Sequence, residues 1–96
     1  MHKVSIRPLA LADIDNIVDF YNDLNNTLSE DLISELDICI HTISKNPQAF
    51  QKRIEDARII YLKRFPYGIF YKIYPKEVRI IAVIHTSRNP NIWKKR

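Results

Sequence analysis

The sequence predicts an α+β domain in which a helical hairpin packs on a small, twisted, mainly antiparallel sheet, in the order β-α-α-β-β-β. Two observations support this fold class. In the first half of the chain, apolar residues recur every three to four positions, as they do in amphipathic helices. In the second half, short runs rich in isoleucine, valine and tyrosine are separated by turns. A chain of 96 residues is long enough for one hydrophobic core, so a single domain over 1–96 is expected.

The first half is predicted to contain one short strand and two helices. Residues 3–7 alternate between polar and apolar side chains, as in a half-buried edge strand, and the proline that follows ends it. A helix is predicted over 9–24, with aspartates on its solvent face. Thr27 and Glu30 have the spacing of a capping box at the start of the second helix. That helix is expected to end before Pro47, because a proline disfavours helical backbone in the residue before it.

The second half is predicted to form an antiparallel meander of three strands. The strands are expected over 57–64, 67–74 and 78–86. The third strand is apolar on both sides, which is typical of an interior strand. Strict alternation would place Val78, Ile80, Ala82 and Ile84 on one face and Val83 on the other.

Charge is distributed unevenly along the chain. Residues 1–57 contain five Lys/Arg and ten Asp/Glu, a net charge of −5, whereas 58–96 contain ten Lys/Arg and one acid, a net charge of +9. Together these give the overall charge of +4. We expect one basic surface, which attracts nucleic acid or an acidic protein segment through long-range fields.

The sequence lacks the motifs of several common functions. One glycine excludes a glycine-rich phosphate loop, and one cysteine with three scattered histidines has no zinc-site spacing, so no metal or cofactor is expected. Cys39 is interpreted as a small core residue, and the helix acids as solvated faces. Without a signal peptide or an apolar run long enough to cross a membrane, a cytoplasmic location is expected.

Basic and aromatic residues near the ends of the predicted strands are the candidates for a functional site. They are Arg58, Lys63, Arg64, His85, Arg88 and Trp93. We expect these basic residues near one rim of the sheet, where they would bind RNA or a target protein. For His85 a hydrogen-bonded structural role is an equal alternative, and Lys63 and Arg64 are also explained by protection of a strand edge. A tryptophan such as Trp93 is more often a docking anchor for the C-terminal tail than a platform on which bases stack.

Two segments carry an ordered combination of these residues. Residues 65–71 read Phe-Pro-Tyr-Gly-Ile-Phe-Tyr, and residues 84–93 read Ile-His-Thr-Ser-Arg-Asn-Pro-Asn-Ile-Trp. Together with the chain length and the predicted element order, they resemble the RelE/ParE toxin superfamily over nearly the whole chain. The resemblance implies the toxin of a type II toxin–antitoxin system, a class associated with growth inhibition and plasmid stabilization. It also implies a cognate antitoxin that neutralises the toxin in a hetero-oligomer.

The superfamily has two main branches, which differ in target. RelE-like toxins cleave messenger RNA on the ribosome, and there His85, Arg88 and Arg64 would be the candidate catalytic residues. ParE-like toxins bind DNA gyrase and need no catalysis of their own. Gly68 stands where many members carry an arginine, and Thr86 where some nucleases carry a tyrosine. The resemblance therefore favours the ParE-like branch; the alternatives are a ribosome-dependent endoribonuclease and a non-toxic relic that binds only its antitoxin.

Overall fold

The computed structural model describes residues 1–89, in which two long helices cover one face of a five-stranded sheet. The elements are β1 (Val4–Ile6), α1 (Pro8–Leu24), α2 (Asn26–Lys45), β2 (Lys52–Ile54), β3 (Ala57–Tyr61), β4 (Tyr67–Ile73) and β5 (Val78–His85). The strand order is β1-β5-β4-β3-β2; β1 runs parallel to β5, and the other neighbours are antiparallel. The predicted α+β fold is confirmed, whereas the short polar strand β2 was not predicted.

The junction between the two helices differs from its prediction in one detail. Asn25 has an extended backbone, and its side-chain oxygen accepts a hydrogen bond of 2.8 Å from the Thr27 N–H. Asn25 is therefore the N-cap of α2. The capping box predicted for Thr27 and Glu30 is wrong, because α2 already begins at Asn26 and Thr27 lies inside its first turn.

A bulge in β5 changes which side chains face the helices. The pairing of β5 with β4 shifts after Ile80, so that Ile81 is an extra residue in the strand. Beyond it, Val83 packs in the core beneath the helices, while Ala82 and Ile84 pack on the opposite face. The predicted strict alternation is therefore wrong beyond Ile80, since one extra residue moves each following side chain to the other face.

The buried apolar residues form one cluster on each face of the sheet. The larger cluster lies beneath the helices and includes Leu32, Leu36, Ile43, Ile69, Tyr71, Val78 and Ile80. Cys39 belongs to it, as predicted, and desolvation raises the pKa of its thiol. The smaller cluster lies on the open face, which is the face opposite the helices; it contains Ala57, Ile59, Phe70, Ala82 and Ile84.

Asp13 of α1 binds the edge of β5 that β1 leaves free. β1 pairs with β5 only as far as Ile80, so the backbone N–H of Val83 has no partner in the neighbouring strand. The Asp13 carboxylate accepts a hydrogen bond of 3.0 Å from this N–H. The interpretation of the helix acids as solvated faces is therefore wrong for Asp13, which joins the helix layer to the sheet.

Replacement of Tyr71 tests the contact between β4 and the segment that follows α2. The Tyr71 side chain is fully buried, and its hydroxyl donates a hydrogen bond of 2.6 Å to the carbonyl oxygen of Pro47. Tyr71→Phe leaves that carbonyl without this donor, and we expect the free energy of unfolding in urea to fall by about 1–2 kcal/mol. The matched Tyr61→Phe removes an exposed hydroxyl and should change it by less than about 0.5 kcal/mol. Equal losses in both variants would contradict the assignment.

Candidate functional site

At one edge of the sheet, the edge that runs across the strands, the last residues of β3 and β5 lie beside the first residues of β4. Tyr67 pairs with His85 in the ladder, and the Thr86 N–H donates a hydrogen bond of 2.8 Å to the carbonyl oxygen of Pro66. The loop 62–66 and the turn after β5 are therefore neighbours. Four of the predicted site residues lie at this edge: Lys63, Arg64, His85 and Arg88. Trp93 falls outside the described residues.

Arg58 does not share this edge. On β3 it pairs with Tyr71, four positions along β4 from Tyr67, which corresponds to about 14 Å along the strand. Its guanidinium donates hydrogen bonds to the carbonyl oxygens of Phe50, at 2.6 Å, and of Gln48, at 3.3 Å. The structure thus separates Arg58 from the other candidates and gives it a contact with the segment after α2.

Glu35 of α2 holds the loop 62–66 in place. Its carboxylate accepts hydrogen bonds from the backbone N–H groups of Lys63 and Arg64 and, at 3.4 Å, from the Arg64 guanidinium. Asp31, one turn earlier on α2, lies 3.8 Å from the same guanidinium. Desolvation raises the pKa of Glu35, but these donors outweigh it, so that its pKa lies below the ordinary value. The charge of Arg64 is therefore largely compensated by α2.

The imidazole ring of His85 has a defined orientation. Its Nδ1 accepts a hydrogen bond of 3.1 Å from the backbone N–H of Ser87, and the Ser87 hydroxyl lies 2.8 Å from the same nitrogen. The neutral ring therefore carries its proton on Nε2. The ring also packs edge-to-face against Tyr67, with 5.3 Å between the centroids. His85 thus orders the turn after β5 while it lies at the candidate site.

Among residues 1–89, His85 and Arg88 border two cavities. The first, of about 70 Å³, lies on the open face and has Arg53 in its lining as well. The second, of about 250 Å³, lies beside α1 and includes Asp13 and Phe20 in its lining. Sequence reasoning missed Arg53, because it lies on the unpredicted strand β2; the available signal was the basic Lys-Arg pair in an otherwise polar segment.

The described residues 1–89 hold neither a metal-site cluster nor a membrane-spanning helix. No group of three or more His, Cys, Asp and Glu side chains in this range is arranged to bind a metal ion. No helix in the same range combines the length and the apolar character needed to cross a membrane.

Comparison with known proteins agrees with the architecture. The fold is similar to that of a chain from the chromosomal ParDE toxin–antitoxin system of P. aeruginosa, with a TM-score of 0.78 and 20% identity, covering 91% of this chain and 98% of that chain. At this identity the similarity shows the fold alone, two helices packed on a five-stranded mixed sheet. The family model of the ParE toxin of type II toxin–antitoxin systems, parDE, matches residues 4–90. The chain belongs to this ParE toxin family, which confirms the predicted branch. Among curated proteins, none matches the sequence.

Replacement of Glu35 tests the attachment of the loop 62–66 to α2. Because the folded-state pKa of Glu35 lies below its ordinary value of 4.5, the carboxylate contributes stability above that pH. This contribution is lost as the pH falls through the lower folded-state pKa. We expect Glu35→Gln to lower the free energy of unfolding by about 1 kcal/mol near neutral pH. The difference from wild type should shrink below the ordinary pKa, as measured by urea unfolding across a pH series.

The control for this prediction is Glu30→Gln, which changes an exposed glutamate on the same helix. It should unfold like the wild type at every pH. A deficit in Glu35→Gln that stays constant down to the lowest pH at which the chain remains folded would show that the carboxylate charge is not what holds the loop.

Proposed function

We propose that this chain inhibits bacterial growth by binding DNA gyrase in the cytoplasm, and that a cognate antitoxin neutralises it. Its membership of the ParE toxin family supports the role of toxin. The observation that favours binding over catalysis is that two of the candidate catalytic residues, Arg64 and His85, are already engaged by other groups of the chain. Cleavage of RNA needs an acid, a base and cations around one phosphate. Arg64 is instead engaged by Glu35 on α2, while Nδ1 of His85 accepts from Ser87.

A groove between α2 and β3 supports the antitoxin part of the proposal. It has a volume of about 510 Å³, and its lining includes Ile38, Phe50 and Ile60, with Lys63 and Arg64 at the same groove. Ile38 is 65% exposed although it is a large apolar side chain. An apolar groove beside basic residues suits an amphipathic segment that folds as it docks, because burial of its apolar face offsets its ordering entropy.

The gyrase proposal is tested with purified proteins. We expect the toxin to inhibit supercoiling by DNA gyrase and to leave messenger RNA intact in a cell-free translation reaction. The antitoxin, added in equimolar amount, should restore supercoiling. Arrested translation with cleaved message would overturn the proposal and support a ribosome-dependent endoribonuclease. Antitoxin binding with no effect in either reaction would support a relic that has lost its toxicity.

The antitoxin groove is tested by replacing Ile38, its exposed apolar residue, with a charged residue. Ile38→Lys places an ammonium where an apolar side chain of the partner is expected, and we predict about tenfold weaker antitoxin binding or more in calorimetry. Ile33→Lys is the matched control: Ile33 lies on the same helix and is 44% exposed but does not line the groove. Equal affinity losses in the two variants would place the antitoxin elsewhere on α2.

A further inference from the structure

The open face of the sheet carries a cavity with an apolar floor and a cationic margin. Ile59, Phe70 and Ile84 belong to the apolar cluster of this face and line the cavity. Arg53 from β2 and Arg88 from the turn after β5 line it as well, together with His85. Its volume of about 70 Å³ corresponds to roughly two water molecules at liquid density, which suits one small polar group.

The two arginines of this cavity carry uncompensated charge within the described part of the chain. In residues 1–89, neither the Arg53 nor the Arg88 guanidinium forms an ion pair or a hydrogen bond, whereas Arg64 and Arg79 each pair with a glutamate. Residues 90–96 add three Lys/Arg and no acidic side chain. Each guanidinium therefore keeps the fork of N–H donors that binds a carboxylate through two hydrogen bonds.

We propose that this cavity recognises a carboxylate of a partner protein, presented beside an apolar side chain that packs on the Ile59–Phe70–Ile84 floor. The proposal rests on the proposed function in taking the partner to be a protein. It adds a second docking surface, on the face of the sheet opposite the helices and their antitoxin groove. Arginine and tyrosine are enriched in protein interfaces, and Tyr61 at this cavity is exposed.

The cavity suits an acidic protein segment better than a nucleic acid. Affinity for nucleic acid is built from many phosphate contacts, on the order of six to ten. This cavity is lined by two guanidinium groups, those of Arg53 and Arg88, that have no ion-pair partner among residues 1–89. Stacking of bases requires open aromatic faces, yet the Phe70 ring in the floor is 2% exposed. Among the described lining residues, the one exposed aromatic ring is that of Tyr61, and single-stranded nucleic acid stacks on successive rings.

The test is an NMR titration of the full ¹⁵N-labelled chain, which detects weak binding directly. The probe is a short capped peptide of aspartate and leucine with serine spacers; its matched control has asparagine in place of aspartate. We expect the aspartate peptide to shift the backbone amides of Arg53 and of residues 84–88, and the asparagine peptide to bind at least about tenfold more weakly.

Charge-neutral variants identify the responsible side chains. Arg53→Gln and Arg88→Gln should each weaken binding of the aspartate peptide by about tenfold. Lys76→Gln removes one exposed positive charge from the turn between β4 and β5, at the other end of the sheet, and should retain wild-type affinity. Unchanged amide positions away from the cavity show that each variant is folded.

Four results would overturn the inference. Equal binding of both peptides would show that the cavity recognises only the apolar side chain. A loss of affinity in Lys76→Gln equal to that in the arginine variants would show that binding depends on net charge and not on this cavity. Stronger binding of a short oligouridylate, lost in both arginine variants, would make it a phosphate site. The gyrase reaction distinguishes this inference from the proposed function. Peptide binding without gyrase inhibition would contradict gyrase as the target and support the carboxylate site. Gyrase inhibition with no amide shifts on addition of the peptide would contradict the carboxylate site alone.

Discussion

The strand β5 is the element on which both layers of this structure depend. It pairs with β4 along most of its length and with β1 at its start, and Asp13 of α1 binds its remaining edge through the Val83 N–H. The bulge at Ile81 then turns Val83 toward the helices and Ile84 toward the open face. The same strand therefore supports the helical hairpin and the apolar cluster opposite it, and its end carries His85 to the candidate site.

Local ion pairs compensate part of the positive charge of the second half, at Arg64 and Arg79. Arg64 is compensated by Glu35, and Arg79 lies 2.6 Å from Glu77 and 4.0 Å from the centre of the Tyr74 ring. The hydrogen bond from Arg79 lowers the pKa of Glu77. Arg64 and Arg79 therefore contribute less to the expected basic surface than their formal charges indicate. Arg53, from the acidic half of the sequence, and Arg88, from the basic half, have no ion-pair partner among residues 1–89. Both line the cavity on the open face.

The sequence predicted those features that depend on long periodic patterns and missed those that depend on one residue. Both helices and the interior strand follow from repeated apolar spacing. The bulge has no such signal, because Ile80 and Ile81 are both apolar and either fits either face. The N-cap was misassigned because Asn25 and Thr27 both suit that position, and the helix start decides between them. Arg58 was misplaced for a related reason, since its distance from the site depends on a strand register that composition does not reveal.

Gly68 shapes the apolar floor of the open-face cavity through the space it leaves for Ile59. A Cβ at this position would lie 2.5 Å from Cδ1 of Ile59 and 3.4 Å from the Tyr61 ring. Glycine thus lets Ile59 lie over β4, and Ile59 supplies part of the apolar floor of the open-face cavity. An arginine at 68, as the resemblance gives for many superfamily members, would displace that isoleucine and put a cation in the floor. Here the floor is apolar and the cations stand at its margin, an arrangement suited to an acid beside an apolar group rather than to a phosphate held from several sides.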